Sequence, residues 1–177
     1  MNPITAWDLS ILDALQRCRT PFMDSFFSAL THLGDKGIVW IALALVLLCV
    51  PKTRRLGLCV ALALILDLLL CNILIKPLVG RIRPYAIRDV VLLVRAPTDA
   101  SFPSGHAAAS FAAATALAWR RSRLAIPAVI LAALICFSRL YLYIHYPTDV
   151  FAGIALGALC GAVGCLAADR IPRRKET

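Results

Sequence analysis

The sequence predicts an all-α, polytopic membrane bundle with five or six transmembrane helices and an N-terminal amphipathic helix. Three observations lead there. Mean hydropathy is +0.80 and 60% of the residues are hydrophobic, against about 45–50% in soluble domains. Several apolar runs approach or reach the roughly 20 residues that a membrane helix needs. Basic clusters recur after every second run.

Four runs are clear: Leu56 to Val79, Gly105 to Trp119, Leu124 to Ile144 and Val150 to Ala168. A shorter fifth, Ile38 to Val50, is ended by Pro51. Before it, PFMDSFFSALTHLGDKG is half apolar and reads as a short or re-entrant span. The 177 residues leave room for one membrane domain, with residues 1–37 as amphipathic or short N-terminal helices and 38–177 as the core. Trp7, Leu9, Ile11, Leu12 and Leu15 fall mainly on one helical face, with Asp8, Asp13 and Gln16 elsewhere. Such a helix lies at the membrane interface or packs as an ordinary first helix. The start lacks the basic n-region, apolar h-region and cleavage site of a secretory signal peptide. Seven cysteines form no CxxC pair and mostly sit in apolar runs, so they read as small hydrophobes rather than as disulfides or metal ligands.

Charge orients the chain. Lys52, Arg54 and Arg55 form one cluster, Arg120, Arg121 and Arg123 a second, and Arg170, Arg173, Arg174 and Lys175 a third. Two spans separate each from the next, so all fall on one side. The positive-inside rule makes it the cytoplasm, with the C-terminus cytoplasmic and the chain in the cell membrane. The net charge of +9 therefore reads as orientation and anion binding; long apolar runs argue against nucleic acid. Yet the opposite, extracytoplasmic side also carries Lys76, Arg81, Arg83, Arg88, Arg95 and Arg139. Orientation does not explain those cations.

Three polar islands reach that outer side: Lys76 to Pro84, Ser101 to His106, and Ser138 to Asp149. Lys76, Arg83 and Arg139 lie at or near span ends, where unpaired cations are costly. Arginine forks match phosphate oxygens two at a time, so an external phosphate is the natural partner. Pro103, Ser104, Gly105 and His106 open an alanine-rich helix. Serine caps such a start, glycine lets a ligand approach the backbone, and free N–H groups favour an anion. His145 stands four residues before Asp149. On one helical turn they share a face; if Pro147 instead opens a new helix, contact remains feasible. A carboxylate on one ring nitrogen fixes the tautomer and raises the basicity of the other, as a nucleophilic imidazole requires. His106 is then available to protonate a leaving group.

These islands resemble the three signature motifs of the PAP2 superfamily, the type 2 phosphatidic acid phosphatases. Lys76 to Arg83-Pro84, Pro103 to His106, and Ser138-Arg139 with His145 and Asp149 match every signature position in order. The resemblance covers the chain from about Lys76 onward. It implies a membrane lipid phosphatase in which His145 forms a phosphohistidine, Asp149 orients it and His106 protonates the leaving group. Lys76, Arg83, Ser104, Gly105 and Arg139 would hold the phosphoryl oxygens. It implies no metal and no cofactor, in keeping with Glu176 being the single glutamate. The implied partners are the bilayer and a lipid phosphate or diphosphate. Undecaprenyl diphosphate comes first, then phosphatidylglycerol phosphate and phosphatidate; oligomeric state is left open.

Other polar residues take ordinary readings. His32 is structural. Asp67, mid-span, makes a buried interhelical hydrogen bond. Tyr141, Tyr143 and Tyr146 anchor at the interface, and Arg81, Arg88 and Arg95 recruit an anionic headgroup or are solvated. A transporter of phosphorylated substrates would explain intramembrane charge but not two histidines with a paired aspartate. The soluble vanadate haloperoxidases have similar motifs but not these spans. A protein that only binds lipid would not need the intact set.

Overall fold

The computed structural model describes residues 2–172; Arg173, Arg174, Lys175 and Glu176 lie outside the described residues. The described chain is helical without strands. Its helices are α1 (Pro3–Arg17), α2 (Pro21–Leu33), α3 (Ile38–Cys49), α4 (Arg54–Asp67), α5 (Lys76–Val79), α6 (Gly105–Trp119), α7 (Ala125–Tyr141) and α8 (Pro147–Arg170). A π-helical stretch, Leu68–Ile75, joins α4 to α5 without a break. Local chemistry sets several starts: Asn2, Thr20 and Ser104 side chains cap α1, α2 and α6, and Pro147 occupies the first turn of α8.

Alanine-rich α6 forms the centre, with Ala107, Ala108, Ala112, Ala113 and Ala116 fully buried. Helix α8 lies against it through Gly153, Gly157 and Gly161. A Cβ at Gly157 would sit 2.2 Å from the Ala108 carbonyl oxygen, so only glycine allows the two backbones to meet. Helix α4 packs on α8, and Trp40 Nε1 of α3 donates 2.9 Å to Ser110 Oγ of α6. The apolar outer faces of α3, α4 and α8 remain exposed, as a lipid solvent requires.

By length and composition, two helical stretches among the described residues can cross a membrane: Pro51–Ala86 and Pro147–Arg170. The pair Pro21–Leu33 and Asp35–Cys49, bent by 41°, would be a third. Helices α6 and α7 are apolar but only 15 and 17 residues long.

The N-terminal helices depart from the sequence reading. Asp8, expected away from the packed face, is fully buried with Leu9 and Leu12, whereas Trp7 is exposed. The buried face is set by a charged partner, described below, together with Leu9 and Leu12 of the apolar stripe. Tyr141, Tyr143 and Tyr146 are buried in the protein instead of anchoring at the interface. The Tyr141 hydroxyl donates to Asp24 (2.7 Å) and the Tyr143 hydroxyl to Asp13 (2.5 Å), so α1 and α2 cover them. Asp67 is buried, but its Oδ1 finds no hydrogen-bond partner among the described residues; the expected interhelical bond is not made.

Candidate active site

The helix from α4 to α5 ends at Gly80, whose left-handed φ of 58° turns the chain into an extended strand-like run. Pro84 holds Arg83 extended (φ −76°, ψ 152°), so its side chain turns inward. At the end of α7, Tyr143 adopts a left-handed φ of 60°. The Ile144 and His145 amides both return to the Arg139 carbonyl, at 3.2 and 3.3 Å. This strained turn sets His145 beside Arg139. Ser104 donates its backbone N–H to the Asp149 carbonyl (3.0 Å), fixing the α6 and α8 starts to each other.

Pro147 does open a new helix, so His145 and Asp149 straddle a helix start instead of sharing a turn. His145 Nδ1 lies 3.4 Å from Asp149 Oδ2, too poorly aligned to count as a hydrogen bond. Its Nε2 accepts from Arg83 Nη1 at 3.2 Å. A guanidinium can only donate, so Nε2 carries the lone pair and Nδ1 the proton. Burial first, then the Arg83, Arg139 and Lys76 cations, hold this imidazole well below its ordinary range. A neutral ring with its lone pair at Nε2 is the form a nucleophile needs.

Asp149 is fully buried and heavily bonded. Oδ2 accepts from Ser101 Oγ (2.5 Å) and the Tyr146 amide (3.0 Å), and Oδ1 accepts from Arg81 Nη1 (2.6 Å). Arg81 is therefore neither solvated nor free for a headgroup. Its other arm reaches buried Asp8 Oδ2 (2.7 Å), and Asp8 also accepts from Thr148 N and Oγ1 (3.0 and 2.6 Å).

The three expected phosphate cations converge on one cavity of about 1040 Å3 with His106 and His145. All three are almost fully buried. Arg139 Nη1 donates to Thr31 Oγ1 (2.5 Å), and its Nε has no partner among the described residues. Lys76 and Arg83 are met by a carboxylate that sequence reasoning missed: Asp99, which pairs with Lys76 Nζ and accepts from Arg83 Nη2 at 2.8 Å. Burial opposes its ionisation, but Lys76 and Arg83 prevail and hold the Asp99 carboxyl at about 2. Its side chain is about half exposed. His106 Nε2 faces Asp35 Oδ1 at 3.1 Å, and His32 Nδ1 donates to Asp35 Oδ2 at 2.8 Å. Ser104 is buried at its cap, and Gly105 touches Asn72, whose Oδ1 would lie 3.0 Å from an added Cβ.

Of the missed residues, Arg81, Ser101 and Asp99 lie within or beside the motifs, where position was a usable signal. Asp8, Thr31 and Asp35 carried none. The cavity lining also includes apolar residues of α3 and α4, among them Ile41, Leu45, Leu48, Leu64 and Ile65, with Asp67 and Asn72 beside them.

The chain is similar to known proteins. The PAP2 superfamily model matches residues 56–171. The decaprenylphosphoryl-5-phosphoribose phosphatase of Mycobacterium tuberculosis is 38% identical over 144 residues, covering 81% of this chain and 79% of the relative. An undecaprenyl-diphosphatase of Sulfolobus acidocaldarius is 34% identical over 122 residues, covering 68% and 59%. The crystal structure of the transmembrane PAP2-type phosphatidylglycerolphosphate phosphatase from Bacillus subtilis superimposes with a TM-score of 0.79 at 28% identity, covering 98% of this chain and 90% of that one. With signature motifs, family model and fold in agreement, this membrane protein belongs to the PAP2 superfamily and is a lipid phosphatase of that family.

Proposed function

We propose that the chain hydrolyses the phosphate or diphosphate of a lipid at the extracytoplasmic membrane surface, through a phosphohistidine on His145. The observation that carries this is the cavity itself. It brings Lys76, Arg83, Arg139, His106 and His145 together with apolar residues of α3 and α4, such as Ile41, Leu45, Leu48, Leu64 and Ile65. A phosphate joined to a hydrocarbon tail is complementary to both kinds of lining.

In this reading the phosphate replaces Asp99 on Lys76 and Arg83 and takes the open Nε of Arg139. His145 Nε2 attacks phosphorus, the bond to the leaving oxygen breaks, and His106 gives that oxygen a proton. Asp149 steadies the positive charge on the His145 ring. His106 then takes a proton from water as the water oxygen attacks phosphorus, releasing phosphate and restoring both histidines. The three fixed cations, with Ser104 and the Gly105 amide, stabilise the charge at each transition state.

Helices α3, α4–α5, α6, α7 and α8 then form five spans, with α1 and α2 at the outer surface. Lys52, Arg54, Arg55, Arg120, Arg121, Arg123 and Arg170 then share the cytoplasmic side. Helix α6 is about 22 Å long at 1.5 Å per residue, so the flanking arginines extend its reach and the bilayer thins locally.

Among substrates, undecaprenyl diphosphate ranks first. Two of the relatives are named for polyprenyl-linked phosphates, and an outward-facing site meets such lipids. Phosphatidylglycerol phosphate and phosphatidate follow, supported by the glycerolipid phosphatase of like fold. The test is phosphate release by purified protein in detergent containing EDTA, on all three lipids, with His145→Ala as control. Release that survives EDTA and vanishes in the variant is expected, fastest on the polyprenyl diphosphate. A marked preference for phosphatidate would overturn the ranking. No release from folded protein would overturn the activity.

A further inference from the structure

His145 has a carboxylate set against its ring, and the structure gives His106 one as well. His106 Nε2 lies 3.1 Å from Asp35 Oδ1. Asp35 sits in the short turn Asp35–Gly37 between α2 and α3. That turn lies close against the ring: a Cβ on Gly34 would fall 2.6 Å from His106 Cδ2, so a side chain there would displace the ring. Lys36 and Gly37, which follow Asp35, are both left-handed (φ 51° and 69°). For lysine this conformation costs about 1 kcal/mol or more. Strain of this kind collects where a side chain must be aimed.

The surroundings explain why His106 needs such a partner. Arg139 from α7, Lys76 from α5 and His145 line the same cavity as the ring. A general acid must carry a proton before it can give one, and neighbouring cations oppose that charge. Among the described residues, the carboxylate bonded to the ring is Asp35, which His32 of α2 steadies through the other oxygen (2.8 Å).

We propose that Asp35 is a positioning residue for the leaving-group proton: it binds His106 Nε2–H, favours the protonated ring over the neutral one and leaves Nδ1–H for the departing oxygen. This rests on the role given to His106 above. No bond changes at Asp35 itself. The site then holds two histidine–aspartate pairs of opposite purpose, one supporting a nucleophile and the other an acid.

The test compares leaving groups, using the full-length protein in detergent. An alkyl lipid phosphate needs a proton on its leaving oxygen; p-nitrophenyl phosphate does not. The readout is kcat/KM, which covers steps only through phosphoryl transfer to His145. For Asp35→Asn, kcat/KM on the lipid phosphate should fall about tenfold or more, with p-nitrophenyl phosphate nearly unaffected. The basic limb of the lipid profile should move to lower pH, because the ring loses its proton sooner. Asp35→Glu should restore part of the loss. The ratio of the two substrates is taken within each protein, so partial misfolding does not alter it. An equal fall on both substrates with an unmoved pH profile would reduce Asp35 to a structural brace and overturn the proposal. Higher activity in Asp35→Asn would show a carboxylate that merely occupies the phosphate site, and would overturn it too. His106→Ala is the separate control. If it shows no leaving-group dependence, the assignment of His106 as acid falls, and the Asp35 proposal with it.

Discussion

Residues 76–149 and residues 1–37 contribute to the site in opposite ways. The first region holds the signature residues within three short windows, each folded by local rules: a helix end, a capped helix start and a tight turn before α8. The second holds no signature residue, yet its four aspartates all bond into the first region or support it. Asp8 binds Arg81, Asp13 binds Tyr143, Asp24 binds Tyr141 and Asp35 binds His106. Thr31 adds a bond to Arg139. In the proposed mechanism the motif region carries the reactive groups, and the N-terminal region bonds to them.

That division can be broken at several points, beginning with the largest effect. His145→Ala should lower turnover by about 10³-fold or more and abolish acid-labile labelling of the protein by radioactive phosphate. Persistent labelling would place the nucleophile elsewhere. Arg139→Met should lower kcat/KM by about 10²-fold, with folding retained, because its free Nε is positioned to meet a transition-state oxygen. A loss confined to thermal stability would make Arg139 part of the scaffold.

The N-terminal region is expected to respond more gently. Asp8→Asn removes a buried charge from the Arg81–Asp149 pair and should destabilise the protein by about 3 kcal/mol. It should also slow turnover by about tenfold. Chemical unfolding in detergent measures the first effect and steady-state kinetics the second. Unchanged kinetics would show that Asp8 braces the fold without setting Asp149.

Asp99→Asn should act in the other direction, lowering KM by up to about fivefold, the range of a half-exposed ion pair. The sign follows from its low proton affinity. With a carboxyl at about 2, Asp99 is ionised at any ordinary assay pH and competes with phosphate for Lys76 and Arg83 throughout. The gain should therefore be equal at pH 5.5 and pH 8; a raised KM would mean that Asp99 helps hold the substrate. The smallest effect is expected of exposed His32: His32→Ala should change turnover by no more than about twofold, since it steadies Asp35 from solvent.

The sequence by itself determined a good deal. Four long apolar runs and a shorter fifth anticipated α3 to α8, and the Gly105 and Trp119 boundaries of α6 fell where alanine richness and a serine cap placed them. The motif spacing brought Lys76, Arg83, Arg139, His106 and His145 to one cavity, as read from the windows alone. These features are legible because helix periodicity and capping act over a few residues. Only the tertiary structure decided the rest. Asp8 meets Arg81 across 73 residues, Asp35 meets His106 across 71, and Thr31 meets Arg139 across 108. Asp99 falls on the cations by way of a loop with no regular period, and Asp67 stays without the hydrogen bond its burial suggested. No local rule selects such partners. They are chosen when glycine-lined helices close against α6 and each buried charge must find an opposite one, a choice made by the whole bundle at once.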